Sequence, residues 1–367
     1  MKDIDFEPEY AVEISDPKID LKGYLVVDNT ALGVGKGGIR MTAEVTRDEV
    51  ARLARTMTYK NALAGIPFGG AKAGLVWPGG DTTRKKAFVQ SFARALKPFL
   101  VSKYIAGPDV NSGEREMRWF VEAAGNLKSA TGKPVKLGGL PHELGSTGFG
   151  VFCAVKIASR LMGLSLAGAR VAIEGFGNVG TFAFKFLDVA GAKIVAVSDR
   201  GGTIYDEKGL VYAEVMAAKK RWGSVTGLKH GTELDREAVF GVPADILIPA
   251  AVTDAITEKN KNSIKARLIV EGSNIPMREG IENGLHKKGI VIVPDFVANA
   301  GGVISSYAEH KGFGHKKMFA LVETKVSHAV NTVIHSALMH HKNPREVALE
   351  LARSIITSAI KRRKHTF

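Results

Sequence analysis

The run VAIEGFGNVG, residues 171–180, decides the fold. An apolar β-type run leads into the glycines, and residues 181–189 continue with helical spacing. At such a strand-to-helix turn, Gly175 permits the tight turn, Gly177 lets backbone approach a pyrophosphate, and Gly180 lets the helix pack on the strand. The helix N-terminus also favours the phosphate charge. The run, including Val179, therefore predicts a dinucleotide-binding site.

The strand that follows this turn ends in an acid. Asp199 is placed to accept hydrogen bonds from the hydroxyls of the adenosine ribose, as in dinucleotide-binding βαβ units. Arg200 comes directly after it and could meet a 2′-phosphate. The sequence therefore predicts NAD or NADP as the cofactor and leaves the choice between them open.

Apolar runs recur through this unit and beyond it, and helical or loop segments separate them. This pattern predicts a parallel sheet covered on both faces. These runs are residues 170–174, 193–197, 245–249, 268–271 and 290–294.

The part of the chain before the turn alternates short β-type runs (residues 24–28, 38–42 and 103–106) with helical runs (47–63 and 84–99). Thr46 and Glu49 have the spacing of a capping box. A stretch rich in Gly and Pro, residues 131–150, is the predicted domain junction, and the chain is helical after Asn299.

These patterns predict an α/β protein with two domains. Residues 1–145 form a mixed α/β domain, and residues 146–305 form a Rossmann-type, doubly wound dinucleotide domain. The C-terminal helices, residues 306–367, are expected to pack back on the first domain.

Three lysines of the first domain lie in apolar or glycine-rich runs: Lys36 in GVGKGGIRM, Lys60 in RTMTYKNALAGI and Lys72 in PFGGAKAGL. An ammonium group is costly to keep there unless an anion or a reaction needs it. A desolvated lysine can act as a base, and a charged neighbour can bind a carboxylate. For any one lysine, an ammonium that reaches water from a surface loop is an ordinary alternative. The three together predict a pocket for a small anion.

Composition excludes several other classes of protein. The 367 residues are 45% hydrophobic and 24% charged, as in ordinary globular proteins, and no apolar run is long enough for a membrane span. The net charge of +14 is scattered, apart from the tail at residues 361–364, so nucleic acid is not an expected partner. The acidic, polar start of the chain has no signal-peptide character, which predicts a cytoplasmic location. Cys153 is the single cysteine, and no histidine spacing indicates a metal site.

The chain resembles the glutamate, leucine, phenylalanine and valine dehydrogenases. It carries, in order, GKGGIR, MTYKNA, PFGGAKAG, GPDVNSGEREM, GFGNVG, SDRGGTIYD, IPAA, EGSNIP and PDFVANAGGVISSY. The resemblance implies a substrate domain followed by a dinucleotide domain. It also implies the reversible oxidative deamination of an L-amino acid to a 2-oxo acid and ammonia.

The resemblance further implies roles for individual residues. Lys72 corresponds to the lysine that activates water, Asp109 to the carboxylate that moves protons on the substrate nitrogen, and Lys60 to the residue that holds the α-carboxylate. The cofactor contacts that it implies are Thr147, Asn178, Asn274 and Asn299.

The identity of the substrate side chain rests on Lys36 and Ser306. They match the lysine and serine that hold the γ-carboxylate in the glutamate branch, so L-glutamate is the expected substrate. The runs DNTALGVGKGG and MTYKNALAG are also similar to leucine-type enzymes, which keeps a dehydrogenase for apolar amino acids as an alternative. A catalytically silent nucleotide-binding paralogue is the alternative from another class.

The chain also departs from the family pattern. The segment GLPHELGSTG, with Pro141, His142 and Glu143, replaces the usual approach to the cofactor-binding threonine. The resemblance implies a homo-oligomer, commonly a hexamer in the glutamate branch. The segment before the first shared motif is shorter than usual in the family, which leaves that assembly open.

Overall fold

The computed structural model describes residues 7–141, 144–228 and 230–364. Of Lys364 it describes only the backbone. His142 and Glu143 lie outside the described residues. The chain forms two compact units. Unit 1 comprises the chain up to Leu144, Val303–Met318 and the residues from Leu351 on, and unit 2 comprises Gly145–Gly302 and Phe319–Glu350.

Unit 1 is built on a six-stranded mixed sheet. The strand order is β1-β2-β5-β3-β6, and β4 pairs with β5. The pairs β1–β2 and β2–β5 are antiparallel, whereas β3–β5, β3–β6 and β4–β5 are parallel. The strands are β1 (Tyr10–Asp16), β2 (Leu21–Asn29), β3 (Gly35–Lys36), β4 (Ile39–Thr42), β5 (Gly69–Val76) and β6 (Tyr104–Ile105), and the helices are α1 (Arg47–Leu63), α2 (Thr82–Ala95) and α3 (Glu114–Ala124).

Unit 2 contains a seven-stranded sheet in the order β10-β9-β8-β7-β11-β12-β13. The five strands from β8 to β13 in this order are parallel, and β9 and β10 form an antiparallel edge. The strands are β7 (Arg170–Glu174), β8 (Lys193–Asp199), β9 (Gly202–Tyr205), β10 (Thr232–Leu234), β11 (Ile246–Pro249), β12 (Leu268–Val270) and β13 (Val291–Val293). The helices are α4 (Ser146–Leu161), α5 (Asn178–Val189), α6 (Tyr212–Trp222), α7 (Glu279–Lys287) and α8 (Asp295–Ala298).

Three further helices contribute residues to both units: α9 (Gly301–His310), α10 (His315–His340) and α11 (Pro344–Lys364). The predicted C-terminal segment therefore divides, since residues 319–350 group with unit 2. The end of α11 belongs to unit 1, where Arg363 donates to Thr30 Oγ1 at 2.9 Å. The fold class is confirmed as a two-domain α/β fold with a nucleotide-binding sheet, while the bounds 1–145, 146–305 and 306–367 stay a prediction.

Each unit has its own apolar core. In unit 1, β-strand residues such as Leu25 and Leu75 pack against Phe88 and Phe92 of α2 and Phe120 of α3. In unit 2, the core cluster includes Val195, Leu247, Ile269, Ile292 and Phe240. Among the described helices, none has the length and apolar character needed to cross a membrane.

Helix α1 has the bounds that its pattern predicts, because its start and its buried face are both encoded locally. Thr46 Oγ1 accepts from Glu49 N at 3.2 Å and caps the first turn. In a full capping box the Glu49 carboxylate would also accept from the N–H of Thr46. Here it accepts instead from Arg40 at 2.7 Å. The second helix was predicted over residues 84–99, but α2 ends at Ala95, shortly before Pro98, which disfavours a helical conformation at the residue that precedes it.

Strand β5 was not predicted from the sequence. Its residues, GGAKAGLV, combine three glycines with a lysine, and only Val76 is of the β-branched type that usually marks a strand. Every residue from Gly69 to Leu75 is nevertheless buried. Packing on both faces therefore overrides the weak local preference.

Candidate active site

Lys72 is enclosed because of the alternation of side chains along β5. Ala71, Ala73 and Leu75 point into the core of unit 1, so Lys72 lies on the opposite face, between Gly70 and Gly74. A Cβ at Gly70 would lie 2.0 Å from Thr58 Oγ1, and one at Gly74 would lie 2.7 Å from Val50 Cγ2. The two glycines thus let α1 pack onto the strand. Lys72 is left 6% exposed.

The ammonium of Lys72 meets a carboxylate that is held from both sides. Lys72 Nζ lies 3.0 Å from Asp109 Oδ1, and Arg40 Nε donates to Asp109 Oδ2 at 3.0 Å. Burial lowers the pKa of Lys72, and the attraction of Asp109 offsets this only in part. Burial alone would raise the pKa of Asp109, but the charges of Lys72 and Arg40 lower it below its usual value. The pair therefore joins an amine that loses its proton readily to a carboxylate that stays ionised.

Lys36 lies on the same face of the sheet, because β3 pairs it with Gly70 of β5. It is 3% exposed, and its Nζ donates to Ala106 O at 2.8 Å. Burial lowers its pKa to about 7, with the charges of Lys72 and Lys133 acting in the same direction and Glu309 opposing them. Lys36 therefore changes charge near neutral pH.

Ser306 lies on α9, one turn before Glu309 and His310. Both of these residues interact electrostatically with Lys36. Because they lie three and four residues after Ser306, they share its helix face. Glu309 fixes this part of α9: it accepts from Lys133 Nζ at 2.6 Å and from the backbone N–H groups of residues 132, 133 and 140. Ser306 is half-buried.

Lys60 lies in the last turn of α1 and is half-buried. Helix α1 packs against β5, the strand that carries Lys72. The structure thus brings Lys36, Lys72 and Asp109 onto one face of the sheet of unit 1. It places Ser306 and Lys60 on the helices α9 and α1 of the same unit.

The glycines of the nucleotide turn behave as their spacing predicts. Gly175 has φ +98°, and Gly180 is so close to Gly175 O that a Cβ would lie 1.9 Å from it. A Cβ at Gly177 would meet nothing within 4 Å, which leaves open space at the N-terminus of α5. This combination of a tight turn, close helix packing and open backbone fits a dinucleotide pyrophosphate.

Two glycines next in sequence to predicted cofactor segments lie against Val179 of this turn. A Cβ at Gly148 would lie 2.7 Å from Val179 O, and one at Gly272 would lie 3.2 Å from Val179 Cγ1. Thr147, on α4, is similarly close to Gly302, with 3.1 Å between its Oγ1 and a Cβ there.

Asn178 begins α5 at the nucleotide turn. Asn299 Nδ2 donates to Asn274 Oδ1 at 3.0 Å. Asn274 and Asn299 therefore form a hydrogen-bonded pair within unit 2.

Asp199, the predicted acceptor of ribose hydroxyls, is the last residue of β8. Its Oδ1 accepts from Gly201 N and Ser224 Oγ, both at 2.8 Å, and its Oδ2 accepts from Val225 N at 2.8 Å and Lys219 Nζ at 2.7 Å. Both oxygens are thus engaged by the protein. Although burial opposes the shift, these donors lower the pKa of Asp199. Arg200 is exposed beside it.

Several residues of the site were missed from sequence. Arg40 alternates with the core residues Ile39 and Met41 in β4, and this two-residue period could have placed it on the face of Lys72. Lys133, Glu309 and Lys219 carry no such signal, since each meets its partner only in the tertiary structure. Within the described residues, no group of histidine, cysteine and acidic side chains could hold a metal ion.

Two family profiles match most of the chain. One, described as Glutamate/Leucine/Phenylalanine/Valine dehydrogenase, matches residues 138–363. The other, described as Glu/Leu/Phe/Val dehydrogenase, dimerisation domain, matches residues 8–126.

Individual proteins are similar over most of the length. The NADP-specific glutamate dehydrogenase of Saccharolobus shibatae is 35% identical and aligns with 97% of this chain and 90% of its own. The NAD-specific glutamate dehydrogenase of Staphylococcus aureus is 36% identical over 78% of this chain and 71% of its own. The crystal structure of the hetero-hexameric glutamate dehydrogenase of Thermus thermophilus, in a Leu-bound form, superposes with a TM-score of 0.86 at 30% identity, covering 97% of this chain and 90% of that one.

Proposed function

Because the chain belongs to the glutamate/leucine/phenylalanine/valine dehydrogenase family, we propose that it catalyses the reversible oxidative deamination of L-glutamate. The products are 2-oxoglutarate, ammonium, the reduced cofactor and one proton, and one water is consumed. The observation that carries the proposal is the buried pair of Lys72 and Asp109, 3.0 Å apart, on the sheet face that also holds Lys36.

The cofactor is NAD or NADP, held by the turn at Gly175, Gly177 and Gly180 and by the asparagine pair of unit 2. When bound, it would supply the acceptor for the hydride that leaves the substrate Cα. The residues of the chain then handle water, protons and the charges of the substrate.

Lys72 and Asp109 divide the proton transfers between them. The lowered pKa of Lys72 makes its neutral amine accessible, so that it takes a proton from the water that adds to the substrate carbon. Asp109 exchanges protons with the substrate nitrogen, and Arg40 keeps its carboxylate ionised and oriented. The contact between Lys72 and Asp109 lets a proton pass from one to the other. Lys60 pairs with the α-carboxylate.

The proposed preference for glutamate depends on Lys36 and Ser306, which bind the γ-carboxylate. The buried carboxylate of a bound substrate would favour the charged form of Lys36, whose pKa is otherwise about 7. A substrate without a side-chain carboxylate gains nothing from this charge. The presence and contact of Lys72 and Asp109 support an active enzyme over a silent paralogue.

The test is the absorbance of the reduced nicotinamide with each of the twenty amino acids and both cofactors. L-glutamate is expected to give the highest kcat/KM. A preference for leucine, valine or phenylalanine would move the protein to that branch of the family. Binding of cofactor without turnover of any amino acid would instead identify a silent nucleotide-binding protein.

The protein is also proposed to act as a homo-oligomer in the cytoplasm. The match of residues 8–126 to a dimerisation domain and the hexameric assembly named for the Thermus thermophilus relative support self-association. Light scattering of the purified protein distinguishes a hexamer from a dimer. A monomer at assay concentration would contradict the proposal.

A further inference from the structure

Arg345, in the first turn of α11, is surrounded by three carboxylates of unit 2. Its Nε donates to Glu282 at 2.5 Å, one terminal nitrogen to Asp295 at 3.1 Å and the other to Glu271 at 2.6 Å. The side chains of the three acids are between 0% and 6% exposed, and that of Arg345 is 20% exposed. Arg345 is thus the shared side-chain partner of three buried carboxyl groups.

Two of these acids lie at the edge of the sheet where doubly wound folds bind nucleotides. Glu271 follows β12, and Asp295 comes shortly after β13, the neighbouring parallel strand. The carboxyl ends of parallel strands form that edge. Asp295 N also donates to Glu271 Oε2 at 2.7 Å, so the two strand ends are joined directly.

The loop after Glu271 carries Asn274 and is strained. Ile275 has φ +48°, a left-handed conformation that a β-branched residue rarely adopts. Such a residue keeps this conformation only where its surroundings hold it there. The N–H of Ile275 donates to Asp295 Oδ2 at 3.0 Å, while the other oxygen of the same carboxylate binds Arg345.

We propose that Arg345 is a positioning residue for the dinucleotide cofactor. It orients the carboxylate of Asp295, which holds Ile275 in its left-handed conformation and thereby presents Asn274, the partner of Asn299. Without the guanidinium, the carboxylate turns away, Ile275 relaxes to an ordinary conformation and Asn274 moves. This inference rests on the proposed function in taking NAD or NADP as the cofactor and the pair of Asn274 and Asn299 as part of its site.

The first test compares variants of the full chain by their affinity for reduced cofactor, followed by cofactor fluorescence without any amino acid. Arg345→Met is expected to raise the Kd by about tenfold or more, because a misplacement of about 1 Å weakens such contacts strongly. Arg345→Lys keeps the charge but not the fork of donors, so it should fall between Met and wild type. The matched control is Arg170→Met, which removes an arginine–aspartate pair, with Asp245, at the start of β7; its Kd should stay within about twofold of wild type.

The second test relieves the backbone strain at Ile275 by substitution with glycine. Glycine adopts a left-handed conformation without cost, so Ile275→Gly should restore part of the affinity lost in Arg345→Met. The effects of the two substitutions should therefore not add. If the double variant binds no better than Arg345→Met, the path through Ile275 is wrong.

Circular dichroism and thermal melting separate this role from simple support of the fold. A folded Arg345→Met with a lower Tm and an unchanged Kd would overturn the proposal. If Arg345→Met does not fold, Asp295→Asn takes its place, since an amide keeps the shape but loses half of the acceptor capacity, and it must raise the Kd in the same direction. If the wild type binds cofactor but does not oxidise glutamate, the proposed function is refuted. The comparison of cofactor Kd values between the variants still tests the role of Arg345.

Discussion

At the scale of single residues, the site depends on opposing effects on one amine. Burial drives Lys72 towards its neutral form, and Asp109 drives it towards the charged form. Because burial is the larger effect, the amine can act as a base while the ion pair still fixes its position. Removing one partner of a buried pair typically costs about 3–5 kcal/mol, so informative substitutions must keep the shape of the side chain.

Lys72→Met is expected to reduce kcat by about 10²–10⁴, the usual contribution of a general base, while the Kd for cofactor stays near that of wild type. Asp109→Asn should behave similarly, because the amide keeps the shape and loses the proton transfer. The measurement is steady-state turnover of glutamate, with cofactor binding measured alongside. Lys22→Met is the control, since Lys22 is an exposed lysine of β2 that pairs with Glu13. A near-normal rate in Lys72→Met would remove this lysine from the mechanism.

Lys36→Leu combined with Ser306→Val should reverse substrate preference. A γ-carboxylate that enters a buried site without its cation loses about 3–5 kcal/mol, which lowers kcat/KM for glutamate by about a hundredfold to several thousandfold. Norvaline and leucine lose no partner and should react faster than with wild type. Should the wild type already prefer leucine and the double variant change little, Lys36 would have no role in selecting the substrate.

At the scale of elements, a helix, turn or strand could be predicted from sequence where the contacts that determine it are local. Helix α1 carries its cap and its buried face in its own residues, and the turn at Gly175 is defined by the spacing of its glycines. Strand β5 could not be predicted, because its burial comes from packing on both faces. Lys36 and Lys72 stood out as cations in apolar runs, whereas the partners of Asp199 come from a loop and a helix beyond the next strand.

Gly74→Ala tests the close approach of α1 to β5. The added methyl group would lie 2.7 Å from Val50 and 2.8 Å from Val45, so the free energy of unfolding should fall by about 1–3 kcal/mol. Urea denaturation measures the change. Gly280→Ala, in α7, meets no atom within 4 Å and should instead stabilise the protein slightly through its helix propensity. Equal effects of the two substitutions would show that the packing on β5 is not tight.

Cofactor choice should respond to the residues at the end of β8. Lys219→Met leaves the Asp199 carboxylate without a cation on Oδ2, and this charge repels a 2′-phosphate, so the ratio of kcat/KM for NADP over NAD should fall. Arg200→Ala should also weaken the use of NADP more than that of NAD. Lys220→Met, at the exposed neighbouring position, is the control. Equal losses for both cofactors would place these cations away from the 2′ position.

At the scale of the whole molecule, buried carboxyl groups oppose each other in their effect on stability. Burial raises the pKa of Glu271 well above 4.5 and also raises that of Glu282. Such groups bind a proton more tightly in the folded state, so their stabilisation is complete below about pH 4.5 and is lost as the pH rises through the folded pKa. Asp109 and Asp199 act in the opposite sense, because their lowered pKa values stabilise the fold above about pH 3.8.

As the pH rises above about 4.5, Glu271→Gln should therefore lose less of its free energy of unfolding than wild type does, since an amide resembles the protonated carboxyl group and does not ionise. Urea denaturation across this range measures both slopes. Glu258→Gln is the control, because Glu258 is 72% exposed beside Lys261. Parallel slopes for wild type and Glu271→Gln would show that this carboxyl group does not titrate there.

The discontinuity of unit 1 along the chain has a consequence for biosynthesis. Its sheet leaves the ribosome before unit 2, but Val303–Met318 and the residues from Leu351 on follow only after most of unit 2 has been translated. Only one short segment, Val303–Met318, interrupts unit 2 along the chain, so most of the core of unit 2 can assemble earlier. The nascent sheet, with its buried lysines, must therefore wait for late segments of the same polypeptide, and chaperone binding is expected to concentrate on this early region during translation.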